Sequence, residues 1–187
     1  MNGDIIRDSF SLQKAKLLKG GGVESTTKIV AHIDGSSMEI ERNQKTPIFP
    51  HPDLENAIRG LKEKLLISSN YLSMRTLVNS FEFKPRKDQK EAVEKAIDIL
   101  MNKTTVTGVH VSGQDQNRGV IVTGKIQAEN GSNIAVNSPR MRFTSEVFGF
   151  EEELESEIEQ IEDELYLYLH DNKKAQLEIL QEEEVGS

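Results

Sequence analysis

The side chains in this sequence best suited to chemistry are cationic. Lys14, Lys16 and Lys19 lead into a glycine-rich turn, Arg118 and Lys125 lie in and after a second turn, and Arg140 and Arg142 flank Met141. In an extended segment a spacing of two places both arginines on one side. Guanidinium groups bind phosphate oxygens through paired hydrogen bonds, and ammonium groups bind them as point charges. These seven residues are therefore candidate phosphate contacts, for a nucleic-acid backbone or a nucleotide. An ordinary charged strand surface is the competing reading.

A second candidate lies in the tail, where Gln176 and Leu177 are followed after one spacer by Ile179 and Leu180. The order resembles the short motif by which bacterial proteins dock on the replicative sliding clamp. An extended peptide would place Leu177 and the Ile179, Leu180 pair in apolar pockets. The motif normally ends in Leu-Phe, and a helix end packed on the core is the alternative.

The same search yields no catalytic constellation. His32, His51, His110 and His170 each lack a second ligand at helix or strand spacing. His32 and His110 occupy comparable strands, and two partly buried strand histidines is the preferred reading over a metal pair. Lys19-Gly20-Gly21-Gly22-Val23 lacks the Gly-Lys-Ser/Thr ending of a phosphate loop. There is no Gly-x-Ser-x-Gly elbow. The chain has no cysteine, which excludes thiolate nucleophiles, thiolate metal sites and disulfides. Carboxylates cluster only in one amphipathic helix, where a solvated face explains them better than an acid–base pair. The expectation is a non-enzymatic binding protein with no metal and no cofactor.

Charge is divided unevenly. The 187 residues carry a net charge of -8, yet residues 151–187 hold 14 acidic and two basic side chains. The remainder is mildly basic, so the average misleads about partners. The acidic segment is read as a solvated helix, an interaction helix or a shield over the basic face. Aromatic residues make up 5%, too few for many base-stacking platforms. No apolar run approaches the roughly 18 residues of a membrane span. Residues 1–8 lack a secretory apolar region, and a bacterial cytoplasmic location is expected.

The elements that must position these side chains follow from periodicity. Residues 9–18, 27–33 and 37–41 read as three strands, with turns at the glycines 20–22 and at Asp34-Gly35. Pro47, Pro50 and Pro52 end this pattern. Leu54, Ile58, Leu61 and Leu65 then mark one helical face. A second helix is predicted from about residue 85 to 102, with Val93, Ala96, Ile97 and Leu100 as its stripe; residues 68–85 show no clear pattern. Strands follow at 105–111, 120–126 and 133–137, with Asn130-Gly131 as hairpin signal. Leu154, Ile158, Ile161, Leu165 and Tyr168 mark the acidic helix.

The fold class is therefore α+β. It reads as pseudo-duplicated βββα units, with antiparallel sheets and amphipathic helices on one face. Residues 1–84 form the first unit and connector. Residues 85–187 hold the linking helix, second unit and acidic tail, all within one compact domain.

The layout also carries a resemblance. Pro50-His51-Pro52-Asp53-Leu54 opens the first helix, Val106-Thr107-Gly108-Val109 leads to Gly119-Val120-Ile121-Val122-Thr123-Gly124, and Asn137-Ser138-Pro139 precedes the acidic helix with its Tyr166-Leu167-Tyr168-Leu169 end. Across residues 45–180 this resembles a family of uncharacterised tailed-phage and prophage proteins, whose genes accompany those for single-strand binding and recombination. The resemblance implies an accessory protein of DNA replication or recombination, acting through the basic β-face or the clamp-docking-like tail. Its partners would be nucleic acid or a replication protein, with a homo-oligomer possible and no membrane. The alternative is a counter-defence protein that sequesters a nucleotide signal or inhibits a host enzyme.

Overall fold

Alternating and β-branched residues build the strands, and proline segments separate them from the helices. The computed structural model describes residues 7–33, 36–73, 81, 84–171 and 173. Its strands are β1 (Phe10–Leu17), β2 (Val23–Ile33), β3 (Ser36–Thr46), β4 (Thr104–Ser112), β5 (Gly119–Gln127), β6 (Asn133–Asn137) and β7 (Met141–Arg142). Its helices are α1 (Pro52–Gly60), α2 (Lys62–Ser68), α3 (Arg86–Lys103) and α4 (Glu151–His170). Single 3-10 turns stand at Arg7–Ser9 and Asp115–Asn117.

The strands form one antiparallel sheet in the order β3-β2-β1-β4-β5-β6, with β7 also on β5. Each triplet is a meander, and the two meanders meet along β1 and β4. That seam is three pairs long: Lys14 with His110, Ala15 with Val109, Lys16 with Gly108. By contrast β2 and β3 pair over their full length, from Val23 with Thr46 to Ile33 with Ser36.

The helices pack on one face. Leu54, Ile58, Leu61 and Leu65 meet Leu154, Ile158, Ile161 and Leu165 over Leu12, Ala15, Val106, Val109, Val120 and Val122, all buried. Burial of such side chains stabilises by about 1.5–3 kcal/mol each. The predicted first helix is two helices broken at Leu61, and the apolar face continues across the break. His51 starts α1: its ring Nδ1 accepts from the Asp53 amide at 3.3 Å, and Pro52 needs no N–H partner there. Of the predicted α3 stripe only Val93 is fully buried, and Val93 lies outside the main core. Both helical stripes share one spacing, and both meanders share one order. Among the described residues no helix is long and apolar enough to cross a membrane.

Candidate nucleic-acid interface

Strand alternation decides which cations stand on the open side of the sheet. On β1, Phe10, Leu12 and Ala15 face the helices, so Lys14 and Lys16 face away. His110 lies opposite Lys14 and is exposed. On β5, Gly124 faces Leu65, so its neighbour Lys125 faces away. On β7, Met141 is buried and Arg142 is exposed. The structure thus brings Lys14, Lys16, Lys125 and Arg142 onto one face and adds His110, which sequence reasoning did not select for phosphate binding.

The two halves of this face differ in charge. On the β2–β3 side Lys14 pairs with Glu24, and Lys28 lies 3.2 Å from Glu39. The hydrogen bond and charge of Lys14, helped by Lys16 and Lys45, hold the Glu24 carboxyl below its ordinary pKa. On the other side, β4, β5, β6 and β7 contain no acidic residue. Lys125, Arg142 and His110 stand there among neutral side chains, with Lys16 at the border.

Lys19 sits in the β1–β2 turn, exposed, beside a depression that it lines together with Lys125 and Arg59 of α1. The one sequence signal at Arg59 is its i,i+4 spacing to Glu55, a helix-surface pairing that the structure also shows.

Arg118 and Arg140 point elsewhere. Arg118 reaches the Glu162 carboxylate at 3.4 Å and Glu155 at 3.8 Å, and its guanidinium lies 5.4 Å from the Phe143 ring centre. Arg140 donates to Ser112 Oγ at 3.0 Å, to the Ser112 carbonyl at 2.9 Å and to the Asn117 carbonyl, tying together both ends of the β4–β5 turn. Arg140 and Arg142 therefore do not act as a pair.

Glu162 organises the interior end of this network. Beyond Lys14 the β1 and β4 strands part, and the Leu12 amide, with no strand partner on that side, donates to Glu162 Oε2 at 2.9 Å. Arg7 donates to Glu162 Oε1 at 3.2 Å and also pairs with Asp163. Burial opposes charge on Arg7, but its contacts with Asp163 and Glu162 outweigh that and raise its pKa. Glu162 follows the buried Ile161 on α4, and a carboxylate flanking an apolar stripe is the sequence signal that would have marked it.

Several other acids of α4 are engaged too. Lys64, itself buried, contacts Glu157 at 2.6 Å and Glu153 at 2.9 Å; burial disfavours its charge, yet the two carboxylates raise its pKa. Lys173 lies 2.7 Å from both Asp53 and Glu164. The acidic helix packs on the face opposite Lys16, Lys125 and Arg142, so the expectation of a shield over them is not met. His32 lies on β2, separated from β4 by β1, and its side chain is not among those described. Gln176, Leu177, Ile179 and Leu180 lie outside the described residues. Comparison with protein families, curated proteins and solved structures finds no match to this chain.

Proposed function

We propose that this chain is a non-enzymatic accessory protein of a phage or prophage, acting in DNA replication or recombination by holding nucleic acid against the open face of the sheet. The observation that carries this reading is the acid-free half of that face. Lys125 and Arg142 project from strands with no carboxylate, and Lys16 and His110 adjoin them along the seam. Cations arranged over several strands neutralise successive phosphates, whereas neutral Thr107, Thr123 and Asn137 add donors without repulsion. Residues 176–180, the clamp-docking-like motif, would give such a protein a second contact with the replication machinery.

Binding of labelled single- and double-stranded oligonucleotides, followed by anisotropy, tests the proposal. With about three phosphates neutralised, the logarithm of the association constant should fall by roughly two to three per tenfold rise in salt. The triple variant Lys16→Glu, Lys125→Glu, Arg142→Glu should abolish binding, while Arg140→Ala should leave affinity unchanged. No binding of either oligonucleotide by the intact chain at low salt would defeat direct DNA contact.

A further inference from the structure

The β1–β4 seam opens at both ends, and the two openings are treated differently. At the Leu12 end, α4 inserts Glu162. At the opposite end, past the Lys16–Gly108 pair, lies a depression of about 480 Å³. Lys19 reaches it from the β1–β2 turn, Arg59 from α1 and Lys125 from β5, with Thr105 and Thr107 on the wall. No acidic residue lines it. Two other depressions on the molecule are acidic: one lined by Glu151, Glu152 and Glu153, the other by Asp53, Glu157 and Glu164.

The three cations are available. Among the described residues Lys19 and Lys125 have no ion-pair or hydrogen-bond partner in their side chains. Arg59 pairs with Glu55 on the helix surface, where the two side chains are 51% and 37% exposed. Such a pair holds weakly and a phosphate can displace it.

An aromatic ring packs on the turn that carries Lys19. The turn after β1 is closed by the Leu18 amide on the Gly22 carbonyl and the Gly21 amide on the Leu18 carbonyl, both at 3.1 Å. Gly21 has φ +83°, and a Cβ there would stand 2.3 Å from the ring of Phe49. The ring thus lies against the bare glycine, yet Phe49 remains 53% exposed. A half-exposed aromatic ring therefore rests on the five-residue turn that carries the cation Lys19. A base stacks on such a face whatever its identity.

We infer that this depression anchors one nucleotide unit, with its phosphate on Lys19, Arg59 and Lys125 and its base reaching over the β1–β2 turn toward Phe49, which packs on Gly21 outside the depression's lining. The volume suits a ligand of that size. The inference deepens the nucleic-acid reading and rests on it only for where the unit comes from. Lys125 belongs to both, but Lys19, Arg59 and Phe49 lie outside the row Lys16, His110, Arg142, so the two ideas separate experimentally at those residues.

The test uses the full chain at low salt, titrated with AMP, adenosine, inorganic phosphate and an unlabelled 15-mer oligonucleotide, read by calorimetry. AMP should bind more tightly than adenosine or phosphate. Lys19→Ala and Arg59→Ala should each weaken AMP about tenfold, the loss expected for one charge-assisted contact. Phe49→Ala should weaken AMP and leave phosphate binding unchanged. Circular dichroism and melting of each variant verify that it is folded. If the same variants weaken the 15-mer, the unit belongs to a strand. If they weaken AMP and the intact chain ignores the 15-mer, the depression takes a free nucleotide, and the DNA reading falls while this inference stands. Absence of AMP binding, or AMP binding indifferent to all three variants, overturns the inference. A 15-mer sensitive only to Lys16→Ala and Arg142→Ala would then leave the open-face reading standing alone.

Discussion

Glu162 carries three obligations at once: an orphan amide on β1 and the guanidinium groups of Arg7 and Arg118. Replacing it by alanine leaves a buried N–H without an acceptor and two cations without their shared anion. Glu162→Ala should therefore destabilise by about 2–4 kcal/mol. Glu162→Gln, which keeps an acceptor for the Leu12 amide, should lose less, and urea unfolding of both variants checks the order. At this scale the sequence was legible in part. Lys16, Lys125 and Arg142 are on the surface because strand alternation puts them there, and alternation is visible in the residues. The inward turn of Arg118 and the Arg140 strap are not visible, because each depends on a partner 20 or more residues away: Glu162 for the first, Ser112 and Asn117 for the second. Arg59 escaped notice for the same reason, since only the fold sets an α1 side chain beside a β5 lysine.

At the scale of elements, close approach of α2 to the sheet rests on a missing side chain. A Cβ on Gly124 would stand 2.6 Å from Leu65 Cδ2 and 2.7 Å from the Thr105 carbonyl oxygen. Gly124→Ala should destabilise by about 1–3 kcal/mol through overpacking. Adding Leu65→Ala should not restore stability, because the carbonyl contact remains and a core leucine is lost; a double-mutant cycle by thermal melting measures the coupling. Six of the strands and the main helices could be read from alternation and from the four-three-four apolar spacing. The break at Leu61 could not, because the apolar stripe runs through it unbroken and only backbone geometry separates α1 from α2. β7 also escaped, since two residues after Pro139 carry no periodicity; pairing with β5 defines the strand.

On the whole-molecule scale, three carboxylates and one histidine shape the response to acid. Burial tends to raise the Glu151 pKa, but the Phe148 amide, the Ser145 hydroxyl and neighbouring backbone donors hold the carboxylate and lower it overall. The folded value lies below the unfolded one, so this stabilisation is present above about pH 4.3 and is lost as pH falls through the folded pKa. Glu24, also lowered, shares that window, and the lowered Asp53 adds stabilisation present above about pH 3.9 and lost as pH falls through its folded value. His170 is shifted down by burial and by the charge of Arg42. The unfolded chain therefore takes up that proton first, and stability declines as pH drops from about 6.5 toward the folded value. Melting temperature against pH should show an early shallow decline and a steeper one below it. His170→Gln should flatten the first and Glu151→Gln should lessen the second.

The three-pair seam has a mechanical consequence. Each meander is a stiff plate, knit by ladders many residues long, whereas the line joining the plates carries few backbone bonds and is spanned mainly by side chains of α1, α2 and α4. Backbone cross-linking between the two meanders is therefore sparse along the midline. A load that bent one plate against the other would be borne there chiefly by the packed helices, which would act as the spring.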